Sequence, residues 1–394
     1  MKRYFGNEVF DIAPTSFLIP RQKNELLQDA EQYPGTEENP LIYIIKPSAS
    51  SCGRGIYLHK GVPPMPRGTK QMVCQRYIGN PLLIFGRKFD LRLYCVVTSF
   101  DPLRIFLFDE GLVRFAAEKY PGPDKELDNI HMHLTNYSVN KTAELSRASR
   151  GKDFDGEDAV DIKWCISDFK KHLQKEHPLG IAAWNAIEKE CDDVVTKAFL
   201  SIEHDVIERL RMECKDKTGR CCFELFGLDL MADENLKVRL IEVNIMPSLA
   251  TGSTLDKAVK SRMLAHLLTM VRVIPCRRDE VLTALEKKSK EFLPWGSVKS
   301  PEVVYKFGDH PNISARAIEK PLLSAFNKTS DPHSQLTTEE HLMLVEAEEE
   351  LRCAGGFRRV FPQASTVKTY LPYFTHGVSR NNYLLASAVC LNGA

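Results

Sequence analysis

This chain has almost no net charge. Its 53 lysines and arginines stand against 52 acidic residues, a formal balance of +1, which argues against a molecule that binds nucleic acid or another polyanion over its whole surface. A local basic patch stays open. The 11 cysteines include no CxxC pair, and an odd number with two adjacent, Cys221 and Cys222, suits neither a zinc site nor a disulfide framework. No apolar run reaches the roughly 20 residues of a membrane-spanning helix. The start, Met1-Lys-Arg-Tyr-Phe-Gly6, carries no apolar signal stretch. These absences point to free thiols in a reducing cytosol, with no membrane and no nucleic acid as partner. What is present is ordinary for a globular protein: 43% hydrophobic and 27% charged residues over 394 positions, enough for two or three domains or one two-lobed unit.

Apolar, strand-like segments fall at residues 17–20, 41–45, 56–58, 72–78, 89–100 and 104–108, the last two flanking the turn signal Ser99-Phe-Asp-Pro102. A polar connector fills 25–40. Residues 139–161 are polar, and the charged, glycine-punctuated stretch 146–161 reads as a mobile loop. Helical periodicity marks 166–176, a long amphipathic 182–211, and 253–273; further helical stretches at 279–292 and 338–353 alternate with Pro-, Ser- and Asn-rich connectors. The expectation is an α+β core over 1–275 and a looser helical appendage over 276–394.

The most chemical segment is Cys222-Phe-Glu-Leu-Phe-Gly-Leu-Asp229, a polar turn at 232–236, then Leu240-Ile-Glu-Val-Asn244-Ile-Met-Pro-Ser248. With period two, Glu242 and Asn244 share a face while Leu240, Ile241 and Val243 pack. A hairpin sets Asp229 opposite them. Three hard oxygen donors without His or Cys suit Mg²⁺, which binds through one or two carboxylates plus substrate phosphates. The competing reading is acidic decoration of a solvated hairpin face, although the apolar flanks imply burial, where carboxylates need a partner.

Other motifs are weaker alone. Lys46-Pro-Ser-Ala-Ser-Ser-Cys-Gly53-Arg54-Gly55-Ile56 sets a lysine at a strand end before a small-residue loop, fit for phosphate or simply a turn; it lacks the Gly-Lys-Ser/Thr of a P-loop. Gln75-Arg76-Tyr77-Ile78 ends a strand and can frame an adenine ring. Lys88, Asp90 and Arg92 share one strand face, either a solvated edge or a ligand wall touching ribose and phosphate. Arg114 is an isolated cation, by default a surface arginine. His131 and His133 have no third ligand at useful spacing, whereas Thr135 and Asn136 are neutral hydrogen-bonding groups.

Together and in this order these words resemble the tubulin tyrosine ligase-like family of the ATP-grasp superfamily, over roughly residues 10–268. They are Lys46-Pro with Ser51-Cys-Gly-Arg-Gly-Ile56, Gln75-Arg-Tyr-Ile78, Gly86-Arg-Lys-Phe-Asp-Leu-Arg92, Glu110-Gly-Leu-Val-Arg-Phe115, His133-Leu-Thr-Asn-Tyr-Ser138, Phe223-Glu-Leu-Phe-Gly227 and Ile241-Glu-Val-Asn244. The loop wording and the tail Gly356-Phe-Arg-Arg-Val-Phe-Pro362 are similar to the polyglutamylase branch. The resemblance implies an ATP-grasp fold: a central lobe over 1–74, a C-terminal lobe with the metal site over 75–275, and a helical, partly flexible extension over 276–394. The additional N-terminal domain usual in the family is expected to be missing.

For the site, the resemblance implies ATP phosphates on Lys46, Gly53, Arg54, Gly55 and Ile56, adenine framed by Gln75, Arg76, Tyr77 and Ile78, and Lys88 on phosphate with Asp90 on ribose. Thr135 and Asn136 would lie beside the nucleotide, and Asp229, Glu242 and Asn244 would hold Mg²⁺. Arg114 would clamp the carboxylate of free glutamate with Tyr137, Ser138, Lys163 and Lys260. Arg114, Glu242 and Asn244 become the catalytic set. The implied activity is a carboxylate–amine ligation: ATP activates a glutamate side chain of the tubulin tail as an acyl phosphate, and the amine of free L-glutamate attacks it. Proximity of bound reactants supplies much of such an acceleration. A monomer working on microtubules in the cytoplasm and cytoskeleton, cilium or basal body included, follows from the same likeness. The alternatives are a glycylase, a ligase for non-tubulin acidic tails, or an inactive microtubule-binding remnant. The segment 277–299 mixes both charge signs, so cationic anchoring to microtubules has little support from it.

Overall fold

The computed structural model describes residues 1–37, 40–48, 53–68, 70–136, 139–140, 163–214, 222–273 and 336–392. The expected loop at 146–161 and helix at 279–292 lie outside the described residues. After a short helix α1 (Lys2–Phe5), four short strands build a small antiparallel sheet: β1 (Ser16–Ile19), β2 (Ile42–Pro47), β3 (Tyr57–Lys60) and β4 (Met72–Arg76), in the order β1-β4-β2-β3. Between the first two lies α2 (Lys23–Gln32), where the sequence reads as a polar connector; only Leu26 of this helix is buried, too thin a stripe for periodicity to announce. Phe17, Ile19, Leu26, Tyr43, Ile45, Met72 and Cys74 form the core of this lobe.

The second sheet is larger. β5 (Leu83–Ile84) leads into the long strands β6 (Arg87–Phe100) and β7 (Leu103–Lys119); then come α3 (Ile130–His133) and β8 (Lys163–Cys165). Helices α4 (Ile166–Glu176), α5 (Ile181–Leu200) and α6 (Glu203–Glu213) precede the hairpin β9 (Glu224–Ala232) and β10 (Val238–Ile245) and the helix α7 (Thr254–Met270). The single helix expected over 182–211 is two, broken at Ser201 and Ile202. Sheet order is β10-β9-β6-β7 and then a last strand, β11 (Phe357–Phe361), with β5 paired to β6 and β8 to β7; every pairing is antiparallel. One face, carrying Phe89, Leu91, Val113, Phe115, Leu228 and Leu230, packs on Phe169, Trp184, Ile187, Val194 and Phe199 of α4 and α5. On the other, Tyr94, Val96, Phe106 and Phe108 pack under Val259, Met263, Leu267 and Met270 of α7. The remainder of that face looks toward the small sheet.

Two sequence expectations need correction here. The expected helical appendage contributes a strand, β11 (Phe357–Phe361), between α8 (Thr338–Arg352) and the helices α9 (Val367–Tyr370) and α10 (Arg380–Asn392). β11 pairs with β7 along Phe357↔Phe108 to Phe361↔Ile105. Polar anchors fix it further: Arg358 grips Asp192 at 2.6 Å with two nitrogens, and the Leu103 backbone N–H donates to Asn382 at 2.7 Å. The pattern Phe-Arg-Arg-Val-Phe was too short and too charged to stand out as a strand. The second correction concerns β10. A bulge between Leu240 and Glu242 turns Ile241 into the cleft, and β10 is the sheet edge, so Val243 is 42% exposed rather than packed.

Because Phe361 is buried in the main core, Phe361→Ala should cost about 3–5 kcal/mol and lower the urea midpoint of the core. A midpoint unmoved by this change would mean that β11 folds apart from the sheet.

Candidate active site

The hairpin forms as its residues dictate. Asp233 accepts from the backbone N–H of Asn235 (2.9 Å) and Lys237 (3.0 Å), closing the turn. The register then places Glu242 opposite Asp229 and Asn244 opposite Gly227. On β6, Lys88 and Asp90 are 3% and 4% exposed and share a face with Arg92, while Phe89, Leu91 and Leu93 fill the core. This face is therefore no solvated edge: Lys88 and Asp90 line the cleft, and Arg92 stands beside them on the same face.

Arg114 is likewise no surface arginine: it is buried, with Nε and Nη2 forked onto Asp90, both contacts at 2.6 Å, and the same Nη2 2.7 Å from Asp229. Asp229 also receives both Nε and Nη2 of Arg92. Burial pushes the Asp229 carboxyl up, but Arg114 and Arg92 outweigh that and hold it below the usual carboxylate range. Burial would lower the Arg114 pKa, and the two carboxylates raise it instead. Arg92 reaches across β9 because Gly227 lies beneath it; a Cβ there would meet Pro247 at 2.8 Å and the Arg92 side chain at 3.3 Å.

Opposite, from the small sheet, Lys46 donates to Gln75 at 2.8 Å. Its pKa is lowered by burial, with Glu242 and Asp229 acting against the shift. Lys88 sits 3.9 Å above the Tyr77 ring and is brought down to about 7 by burial and then by repulsion from Lys46. Tyr77 is in turn held by His133 (2.9 Å), which also meets the Lys125 and Glu126 carbonyls; this histidine is a structural partner. A buried lysine and a half-buried one, brought together from different sheets, make a pair of charges suited to an anion.

The structure thus gathers Lys46, Ile56, Gln75, Arg76, Tyr77, Ile78, Lys88, Asp90, Arg114, Thr135, Asn136, Asp229 and Glu242 around one cleft. The Arg76 guanidinium is held by Asp29 and lies over Tyr33, and Thr135 donates to Asp90. Gly53, Arg54 and Gly55 form the turn just before Ile56, with Gly53 at φ +73° pressed against Asn136 and Val139. Lys163 and Lys260 are outside the cleft lining but meet at Asp256, 2.8 and 3.0 Å away, and Lys163 lies directly across from Arg114 in the strand register. Tyr137 and Ser138 lie outside the described residues. The sequence reading set Arg92 on the Lys88–Asp90 face as part of a possible ligand wall but gave it no role of its own, and it gave none to Asp256; the structure joins them to Asp229 and to Lys163 and Lys260, respectively.

The donor set fits a hard divalent cation. Glu242 reaches solvent along the cleft, yet surrounding protein and then the charge of Asp229 push its carboxyl up, a repulsion that a cation between them relieves. Asn244 spends its amide hydrogens on the Gly227 carbonyl (3.3 Å) and Glu242 (3.1 Å), leaving its carbonyl oxygen as a donor. Among the described residues no group of three His, Cys, Asp or Glu gathers, so an ion here needs waters or phosphate oxygens to complete its shell.

A small sheet and a large antiparallel sheet line this one cleft, and the tubulin-tyrosine ligase family model matches residues 1–280. The chain belongs to that family. Its fold is accordingly α+β of the ATP-grasp type. It is similar to the tubulin polyglutamylase ttll-4 of Caenorhabditis briggsae, 35% identical over 96% of this chain and 58% of that protein. It also resembles the human tubulin monoglutamylase TTLL4, 35% identical over 95% of this chain and 30% of that one. The mouse tubulin polyglutamylase TTLL5 is 33% identical over 98% of this chain and 28% of its own length. This member of the family thus spans between 28% and 58% of these relatives.

Removing Arg114 leaves two buried carboxylates facing each other. Arg114→Ala should cost roughly 3–5 kcal/mol, measured by chemical denaturation; a variant as stable as the parent would show that the pairs are not formed.

Proposed function

We propose that this chain is the catalytic core of an ATP-dependent tubulin–glutamate ligase. The observation that carries this reading is the convergence, on one cleft, of Lys46 and Lys88 from opposite sheets with the Asp229–Glu242 pair. Lys46 and Lys88 neutralise the triphosphate, and the turn Gly53–Arg54–Gly55–Ile56 lies along it. Gln75, Arg76, Tyr77 and Ile78 frame the adenine beside the apolar Ile44, Leu134 and Met231. Asp90, Thr135 and Asn136 take the ribose side. Mg²⁺ held by Asp229, Glu242 and Asn244 would supply charge neutralisation on the phosphoryl group in transfer.

The acceptor is a glutamate carboxylate of a tubulin tail, which becomes an acyl phosphate as ADP departs. The amino group of free L-glutamate then attacks the acyl carbon, releasing phosphate and leaving an isopeptide branch. Lys163 and Lys260 place the free amino acid through its carboxylates, and Arg114, whose Nε and Nη2 are held by Asp90 and Asp229, adds its positive charge to that end of the cleft. No side-chain nucleophile is needed. The names of the relatives support tubulin as the protein substrate, and with it work on the cytoskeleton. No described helix is long and apolar enough to cross a membrane.

Glu242→Gln should cut glutamate incorporation into tubulin by roughly 100-fold or more with no fall in melting temperature, since it removes a repulsion. Mass spectrometry of tubulin offered glutamate and glycine separately identifies the donor; a parent chain that adds neither overturns the proposal. Lys88 gives an independent check. Held at about 7 by burial and Lys46, it is mostly neutral at pH 8 and regains its proton beside a triphosphate. ATP binding at pH 8 should therefore take up protons, seen as a calorimetric heat that depends on the buffer's ionisation enthalpy, and Lys88→Met should abolish that dependence.

A further inference from the structure

Tyr94 lies two residues beyond Arg92 on the same long strand, on the face beneath α7, with Val96, Phe106, Val259 and Met263 around its ring. It is 0% exposed, and among the described residues its hydroxyl has no hydrogen-bond partner. A buried, unpaired hydroxyl is a cost that a phenylalanine would not carry. The groups that act on it are Arg92, Asp256, Arg114 and Asp229. Arg92 is two residues back on the same strand, and Asp256 and Lys260 are buried on the same side of α7 as Val259 and Met263. Tyr94 therefore lies between two ion-pair networks: the Arg92–Asp229–Arg114–Asp90 set and the Lys163–Asp256–Lys260 set.

Asp256 has its charge partners without it, although among the described residues its buried Oδ1 has no hydrogen-bond partner. Lys163 donates to one carboxylate oxygen at 2.8 Å and Lys260 stands 3.0 Å from the other, while the Ser253 hydroxyl adds a contact at 2.9 Å. Those same two lysines are the cations assigned above to the carboxylates of the free amino acid. A carboxylate arriving there draws one of them away and strips a buried anion of a partner, which is costly unless another donor steps in. Burial and then the charge of Asp256 keep the Tyr94 phenol up at about 12, against the opposing pull of Arg92, so it carries its proton at every working pH and is able to donate.

We propose that Tyr94 is a positioning residue for the amino-acid substrate: its hydroxyl is the reserve donor that takes over Asp256 when a substrate carboxylate recruits Lys163 or Lys260. Tyr94 does not touch the substrate, which accounts for its complete burial. This rests on the assignment of Lys163 and Lys260 to the amino acid.

The test is Tyr94→Phe in the full chain, followed by tubulin glutamylation kinetics and by thermal shift with free L-glutamate in the presence of an ATP analogue. The expected result is a KM for L-glutamate raised about tenfold, a glutamate-induced thermal shift that shrinks, and kcat and KM for ATP within twofold of the parent. The melting temperature without ligand should be equal or higher. An unchanged glutamate KM overturns the proposal, and so does a lowered melting temperature with glutamate and ATP affinities falling together, since that is the mark of a packing role alone. If the parent chain itself shows no response to L-glutamate, both this proposal and the assignment of the amino-acid site fail; a parent that responds while Tyr94→Phe responds equally sinks the role of Tyr94 only.

Discussion

The buried exchange of charge among Asp90, Arg92, Arg114 and Asp229 is what the rest of the molecule hangs on. Asp90 faces Arg114 across β6 and β7, and Arg92 faces Asp229 across β6 and β9, so two cations and two anions cancel within three neighbouring strands. A slip of one residue in either pairing would turn these side chains into the core against α4 and α5, and bring Phe89 or Leu228 into the polar cleft. The network therefore does two jobs with the same atoms. It fixes the register of the central sheet, and it presents Asp229 ionised and oriented beside Glu242.

Among the described residues the small lobe meets this platform at the glycine turn lying against Asn136 and Val139, and the segment before β1 meets it through the Asp11–Arg239 ion pair and the Leu240 N–H donating to the Ile12 carbonyl. Lys46 and Lys88 repel each other as they stand. A bound polyanion converts that repulsion into two attractions, so ligand binding and approach of the two lobes are coupled by simple electrostatics. Tyr77 offers its ring face to Lys88, adding to the favourable charge of Asp90 against the repulsion from Lys46.

Much of the site was legible because strand alternation is a strong rule. Period two alone set Lys88 and Asp90 on one wall and Glu242 with Asn244 on another, and the Asp233 turn fixed Asp229 against them. The role of Arg114 was not legible from local pattern: its partners are 24 and 115 residues away along the chain (114 − 90; 229 − 114), and nothing in Glu-Gly-Leu-Val-Arg-Phe says that the arginine is buried. The bulge at Ile241 escaped for a related reason, since bulges depend on the partner strand. β11 is the clearest case. Five residues with two arginines look like surface, and only the β7 edge and Asp192 make them a strand.

That last pairing bears on how the chain is made. β7 ends at Lys119 and its outer neighbour begins at Phe357, so a ribosome delivers one long edge well over two hundred residues (357 − 119 = 238) before its partner exists. An open edge carrying Phe106 and Phe108 is a template for other strands, and contacts of such sequence separation form slowly. Synthesis thus passes through a stage in which the wall of the cleft is complete while the sheet edge at Phe106 and Phe108 is unsealed, and protection of that edge during translation becomes a requirement of the fold.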